Sequence, residues 1–176
     1  IRVILDTRES LNIPPFGEHS DFLAYGGIYR DVYLDVKEKM YIQDVYVRTH
    51  FPKGRAQAIS RVKVANPEPA VQIRQGIRMH GSDNDYTDVG YVSATKGTMA
   101  FSMGSIRRWE PDDPVLYDLR TELLAEGKVV DTVITRVGFR EAEFRKDGFY
   151  LNGKKIKLRG LCRSPALPYV GYAMPD

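Results

Sequence analysis

Apolar and polar residues alternate with a period of two along almost the whole chain. That is the period at which successive side chains leave opposite faces of a pleated strand. The pattern predicts strands over Ile42–Thr49, Ala56–Val64, Val71–Met79, Tyr91–Ala94, Thr98–Met103, Leu116–Leu124 and Val129–Val137. Between them lie Pro52-Lys-Gly54, Asn66-Pro67, Gly81-Ser-Asp83, Lys96-Gly97, Pro111-Asp-Asp-Pro114 and Glu126-Gly127, all residue types that favour turns. Seven short strands over roughly 100 residues match the arithmetic of an immunoglobulin-like β-sandwich. No segment sustains the 3.6-residue apolar stripe of a helix, so the predicted class is all-β with very little helix.

The alternation also nominates a core. Val45, Val47, Ile59, Val62, Val64, Val71, Ile73, Ile77, Phe101, Leu119, Val130, Val133 and Ile134 are expected to point inward. Trp109 is expected at the rim, where Pro111 and Pro114 stiffen the approach to the next strand, and Tyr117 reads as a packing or corner residue. Outside the sandwich, Ile1–Leu5 and Ile28–Val36 alternate as strands, with a loop over Leu11–Gly17 held by Pro14 and Pro15. Neither strand has a partner sheet of its own, and a two-stranded remnant is marginal in water. Residues 1–38 therefore read as the tail of a preceding domain. After the sandwich, Asp147-Gly148 and Asn152-Gly153 are tight-turn dipeptides that bracket Phe149–Leu151 and start a strand over Lys155–Arg159. A chain that turns twice and then ends at Pro-Asp reads as part of something larger.

Composition narrows the function classes. The 176 residues are 43% hydrophobic with a net charge of +3, ordinary for a globular protein and too mild to argue for nucleic acid. Lys and Arg are spread out rather than clustered, which reads as a solvated surface. One cysteine excludes an internal disulfide, and no apolar run approaches the ~20 residues of a membrane-spanning helix. The chain begins at Ile1 without a methionine or signal peptide, which leaves the parent's location open between the cytoplasm and an exported, periplasmic or secreted form. His19, His50 and His80 show no ligand-like spacing, and Cys162 reads as a small thiol rather than a nucleophile.

Several motifs carry a resemblance. Tyr25-Gly-Gly-Ile-Tyr-Arg-Asp-Val-Tyr-Leu34, Trp109-Glu-Pro-Asp-Asp-Pro-Val-Leu-Tyr117, Val137-Gly-Phe-Arg140, Gly148–Lys154, Leu158-Arg-Gly160 and Gly171–Met174 follow one another in order. Together they resemble glycoside hydrolase family 2, the family of β-galactosidases, β-glucuronidases and β-mannosidases. The resemblance implies that residues 1–38 end a sugar-binding jelly-roll domain. Residues 39–138 would form the immunoglobulin-like domain, and 139–176 the start of a catalytic TIM barrel. It implies a parent enzyme that hydrolyses terminal β-glycosidic bonds with retention, through a glycosyl-enzyme intermediate.

Retention needs two carboxyl groups about 5–5.5 Å apart. The resemblance places both catalytic glutamates beyond this segment, so the chain is expected to be inactive alone, with no catalytic residue of its own. The acid pairs Asp112/Asp113 and Asp83/Asp85 sit in turn-rich loops, and Glu141/Glu143 on a solvated strand face. Two residues are substrate-binding candidates by resemblance. Asp21 stands six residues before Gly27, where family β-galactosidases carry an aspartate that helps bind substrate and sodium; as a residue it serves equally as a plain loop aspartate. Arg163 matches the arginine of the family's "RG-x-N-R-H" loop, whose asparagine and histidine are absent here. It could orient a carboxylate or sugar hydroxyl through its donor fork, although a structural ion pair is the preferred reading.

No cofactor is expected in the chain, with sodium or magnesium left to the parent. The expected partners are a β-linked sugar and further subunits of a homo-oligomeric parent, and neither nucleic acid nor membrane. The rival reading is a stand-alone carbohydrate-binding or adhesion sandwich. Such modules present coplanar exposed aromatics, which Tyr41, Tyr46, Phe51, Tyr86, Tyr91 and Tyr117 do not obviously supply.

Overall fold

In the computed structural model the described residues are 1–6, 8, 12, 27–162 and 168–173. The chain divides into two compact units, Val36–Leu158 and a second made of Ile1–Asp35 with Arg159–Asp176.

The larger unit carries every strand found among the described residues. These are β1 (Ile42–His50), β2 (Ala56–Val64), β3 (Gln72–Met79), β4 (Thr87–Ser93), β5 (Thr98–Met103), β6 (Tyr117–Ala125) and β7 (Lys128–Val137), followed by β8 (Ala142–Arg145), β9 (Gly148–Leu151) and β10 (Lys154–Ile156). A 3₁₀ turn at Pro52–Gly54 is the one helical element described. β1, β2 and β5 form one antiparallel sheet in the order β1-β2-β5, and β4-β3-β6-β7 form the other. The expected all-β sandwich is what the chain forms, with the fourth strand hydrogen-bonded to the third. A small sheet, β10-β9-β8, follows it.

Turn chemistry explains the connections. Glu126-Gly127 joins β6 to β7 with φ of 51° and 75°, and Asn152-Gly153 joins β9 to β10 with 52° and 80°. Two consecutive positive φ values match the right-handed twist of the flanking strands. The β8–β9 turn differs from expectation. Arg145 pairs with Gly148, so Lys146 and Asp147 make the turn and Gly148 opens the next strand. The turn is held by its own side chains. Tyr150 donates its hydroxyl to Asp147 at 2.7 Å, and Lys155 donates to the same carboxylate at 3.3 Å. Both bonds hold the Asp147 carboxyl below its ordinary range, the tyrosine more than the lysine, and the bond to Asp147 in turn pushes the Tyr150 hydroxyl up.

The core lies between the two large sheets in two apolar clusters. One gathers Ala56, Ala58, Ile77, Phe101, Tyr117, Leu119, Val137 and Phe139; the other gathers Ile42, Val62, Val64, Val71, Ile73, Ala94 and Leu123. A polar layer lies in the same interior. Gln75, Ser60 and Thr121 are all fully buried, and Gln75 Nε2 donates to Ser60 Oγ at 2.8 Å and to Thr121 Oγ1 at 2.9 Å. The glutamine thus reaches from the four-stranded sheet to the three-stranded one.

Several positions depart from the sequence reading. Ile59 is only half-buried, because Ala56, Ala58, Ser60, Val62 and Val64 form the inward row of β2. Val130 and Ile134 are exposed. On β7 the residues in step with buried Val137, namely Thr135, Val133 and Asp131, take the less exposed side, which leaves Ile134 and Val130 on the other. β4 starts at Thr87 rather than Tyr91. Its Asp88 and Gly90 are poor strand formers, accommodated by a bulge opposite Gln75 and Gly76. β10 stops at Ile156, short of Arg159. In the smaller unit, Ile1–Leu5 and Ile28–Asp35 form no strand. Their apolar side chains, such as Ile4, Val32 and Leu34, are exposed among the described residues. Of the loop expected over Leu11–Gly17, only Asn12 is among the described residues.

The polar layer makes a sharp stability prediction. Gln75→Ala should cost about 2–4 kcal/mol in urea unfolding, from a cavity plus two orphaned hydroxyls. The triple change Gln75→Leu, Ser60→Ala, Thr121→Val should recover to within about 1 kcal/mol of the parent chain, since all the polar partners leave together. A triple variant as unstable as Gln75→Ala would show that the layer matters for shape rather than for hydrogen bonding.

Candidate functional site

The residues with catalytic potential are scattered. Asp112 and Asp113 sit on an exposed turn closed by backbone bonds between Glu110 and Asp113, and the Arg107 guanidinium donates to both Asp113 oxygens at 2.9 and 2.8 Å. Asp83 and Asp85 lie exposed in the β3–β4 connection. Glu143 is tied to Arg145 at 2.9 Å. Cys162 is an exposed free thiol. Among the described residues, no group of three or more His, Cys, Asp and Glu side chains gathers to hold a metal. Asp21, Arg163 and His19 lie outside the described residues.

The densest charge lies on the outer face of the four-stranded sheet. Asp118 and Glu122 on β6 are only 7% exposed although they point away from the core. Arg74 donates to Glu122 at 2.7 Å, with Arg120 at 3.4 Å from the same side chain. This bond, reinforced by Tyr91, raises the Arg74 guanidinium further above its ordinary value. His80 Nδ1 lies 2.9 Å from Asp118, with Arg78 at 3.9 Å. The Tyr86 ring lies between the guanidinium groups of Arg78 and Arg120, at 4.5 and 4.4 Å. Gly76 leaves it room, since a Cβ there would stand 3.1 Å from Tyr86 Cβ. The cluster sets three arginines around two carboxylates and covers the outer side of a central strand.

The arrangement best suited to a specific task is the junction between the sandwich and the β8–β10 sheet. Three motifs far apart in sequence meet there: the Trp109 loop, the Val137–Arg140 segment and the Asn152 turn. Tyr117, 5% exposed at the start of β6, accepts a hydrogen bond on its hydroxyl from the Arg107 backbone N–H at 3.0 Å. This is the tyrosine-corner arrangement, and it bears out the corner reading of Tyr117. Its ring meets Phe139 edge-on, with centroids 5.4 Å apart. Phe139, fully buried, accepts on its carbonyl from the Trp109 N–H at 2.9 Å. Gly138 lets the indole lie flat on the chain, because a Cβ there would stand 3.1 Å from three Trp109 atoms. Arg140 then places its guanidinium over the indole at 5.4 Å.

Asn152 locks the small sheet onto this platform. Its Nδ2 donates to the Trp109 carbonyl at 3.0 Å and to Glu110 Oε1 at 3.2 Å. Its Oδ1 accepts from the Glu141 N–H at 3.0 Å, and its own N–H donates to the Glu141 carbonyl at 2.8 Å. Thr49 adds a tie from β1, donating to the Arg140 carbonyl at 2.6 Å and accepting from the Arg140 N–H at 3.2 Å. Trp109 is half-buried at the rim, as the sequence suggests. The side-chain roles of Asn152 and Thr49 have no sequence signal, because each depends on partners more than 40 residues away.

Comparison with known proteins places this geometry. The family model described as glycosyl hydrolases family 2 matches residues 40–140. A β-galactosidase from Thermoanaerobacterium thermosulfurigenes is 35% identical over 187 residues, covering 99% of this chain and 26% of the relative. A protein named putative β-glucuronidase from Formosa agariphila is 32% identical over 168 residues, covering 90% of this chain and 20% of the relative. The solved structure of a β-glycosidase from Bacteroides vulgatus superposes with a TM-score of 0.68 at 28% identity, over 85% of this chain and 20% of that one. An FMN-binding β-glucuronidase from Facaelibacterium prausnitzii reaches 0.74 at 21% identity over 91% of this chain and 26% of that one, a likeness of fold alone. The chain spans about a quarter of the length of the curated relatives first matched.

The junction can be probed through Trp109, the single tryptophan. Asn152→Gly keeps the positive-φ turn and removes only the side-chain bonds, so it should cost about 1–3 kcal/mol in urea unfolding. It should also shift the native tryptophan emission to the red. Gly138→Ala should cost a similar amount, about 1–3 kcal/mol, by forcing the indole off the chain. Unchanged emission in both variants would show that Trp109 does not report on a locked junction.

Proposed function

The chain belongs to glycosyl hydrolases family 2, and from that premise we propose that it is the non-catalytic connecting segment of a retaining β-glycosidase. In this reading residues 1–38 end the sugar-binding jelly roll, 39–138 form the bridging sandwich, and 139–176 lead into the catalytic barrel. The parent hydrolyses a terminal β-glycosidic bond. One carboxyl attacks the anomeric carbon to form a glycosyl-enzyme while the other protonates the leaving oxygen, and water then completes the cycle with retention. Both carboxyls belong to parts of the parent outside this chain. The sandwich's task is to hold the direction in which the chain runs toward them.

The observation that carries this reading is the Asn152–Trp109–Phe139 lock. Two hydrogen bonds from the Asn152 amide, to Trp109 and Glu110, tie the β8–β10 sheet to the sandwich, and two more with Glu141 hold the asparagine within its own sheet. Catalytic geometry is sensitive to displacements of about 1 Å, so a rigid joint upstream of a barrel has a use that a flexible linker lacks. Asp21 and Arg163 belong to the same proposal. Asp21 would accept a sugar hydroxyl's hydrogen bond and ligate sodium, whereas Arg163 would orient a carboxylate or sugar hydroxyl. The aromatic side chains speak against a stand-alone sugar-binding module. Tyr117 is buried, Tyr86 is covered by two arginines, Phe51 lies under Arg108 at 4.1 Å, and the exposed Tyr46 and Tyr91 lie on different sheets.

The test compares the 176-residue chain with the protein encoded by its uninterrupted reading frame, on nitrophenyl β-galactoside and β-glucuronide. The longer protein should turn over at least one of them, with the β-anomer released first by proton NMR, and the short chain should turn over neither. Asn152→Gly in the longer protein should lower kcat/KM by about tenfold, equivalent to roughly 1.4 kcal/mol of lost alignment. Turnover by the short chain, or calorimetric binding of oligosaccharides to it, would overturn the connecting role.

A further inference from the structure

β1 and β7 are the outermost strands of their respective sheets, and they lie side by side where the sandwich opens. The gap between them is pinned at both ends. At one end Asp131 accepts from the Ile42 N–H at 2.8 Å; at the other, Thr49 and Arg140 exchange the two bonds described above. Between the pins is a groove of about 370 Å³, formed by residues 46–49 of β1 and by residues 135–138, 140 and 142. That volume is within the range of small-molecule sites.

Its lining is unusual in charge. Arg48, Arg136 and Arg140 all contribute to it, together with the hydroxyl-bearing Tyr46, Thr49 and Thr135, and no carboxylate does. Among the described residues Arg48 has no acidic side chain within ion-pair distance. Arg140 rests on the Trp109 ring instead of an acid. Arg136 reaches Asp118 only at 4.0 Å, and Asp118 is already held by His80 at 2.9 Å. The two strand edges also present backbone N–H groups that no neighbouring strand takes. Guanidinium forks and free N–H donors in a fixed groove are the chemistry that recognises carboxylate and phosphate oxygens.

We propose that this groove is an oxyanion site, taking a small ligand with two or more carboxylate or phosphate groups. The pins at Asp131 and Thr49 hold the two rims, and with them the backbone donors and the arginine Cα positions, at a set spacing. That preorganisation removes part of the entropic cost of binding.

The test is titration of the ¹⁵N-labelled 176-residue chain with citrate and, separately, with inorganic pyrophosphate, each at constant ionic strength. Saturable shifts are expected on the amides of Val47–Thr49 and Val137–Arg140, with a Kd in the low millimolar range or tighter. Arg48→Gln and Arg140→Gln should each weaken binding by about tenfold or more, whereas Lys96→Gln, on the exposed β4–β5 turn, should not. Arg48→Gln is decisive, because that side chain makes no described contact whose loss would disturb the fold. Saturation by citrate alone assigns a carboxylate ligand, and by pyrophosphate alone a phosphate one. The proposal fails if neither anion saturates by about 50 mM, a regime of weak charge screening alone, or if Lys96→Gln weakens binding as much as Arg48→Gln.

Discussion

Gln75 crosses the interior between the two sheets, and the placement of everything else in the sandwich follows from that crossing. Apolar contacts are non-directional and tolerate sliding. A buried amide that must meet two buried hydroxyls does not, because a slip of one residue would orphan all three groups at a cost of several kcal/mol. The register of β3 against β6 and the placement of β2 over both are thereby fixed. Tyr117 and Phe139 share an apolar cluster with Ala58 of β2, Ile77 of β3 and Leu119 of β6, so their edge-on contact inherits that register.

The junction then builds outward from this fixed point. Phe139 is held by the core and holds Trp109 through its carbonyl; Trp109 in turn offers its own carbonyl to Asn152. Each step passes position along by a hydrogen bond whose other partner is already immobile, so little additional conformational freedom has to be lost. A turn residue is well suited to the last link. Asn152 adopts the left-handed conformation that the hairpin demands and still has a side chain with two donors and an acceptor to spend on the sandwich. A glycine would satisfy the turn but leave the small sheet attached by backbone alone.

Most of the strands were legible because inward and outward residues in a half-buried sheet differ in polarity. The reading failed where that link breaks. Asp118 and Glu122 on β6, which the alternation does not single out, are buried beneath arginines and Tyr86. Val130 and Ile134 look like core residues but face outward, because the inward row of β7 is the one in step with Val137, through Thr135 and Val133 to Asp131. β4 was read short because a bulge admits residues that an ideal strand would exclude. The turn at Asn152-Gly153 was legible from two residues; the role of the Asn152 side chain was not, since it is defined by atoms 42 and 43 positions away. The family motifs marked the junction without revealing its bonds. The candidate ligand residues Asp21 and Arg163 fall outside the described residues, and the structure adds nothing to their reading.

The two arginine-rich regions of the sandwich make an informative contrast. On the outer sheet face, Arg74 is hydrogen-bonded to Glu122, while Arg120 and Arg78 lie within ion-pair distance of Glu122 and Asp118 and against the Tyr86 ring. There the guanidinium stems shield a central strand, and opposite charges offset the desolvation that burial imposes. In the groove between β1 and β7, no acid among the described residues lies within ion-pair distance of Arg48 or Arg140, although acids are available elsewhere on the sandwich. Like charges lining one narrow groove repel one another. An arrangement that is mildly costly in isolation, and held in place by two pins that do not involve the arginine head groups, is more economically explained by an anion supplied from outside the sandwich than by packing.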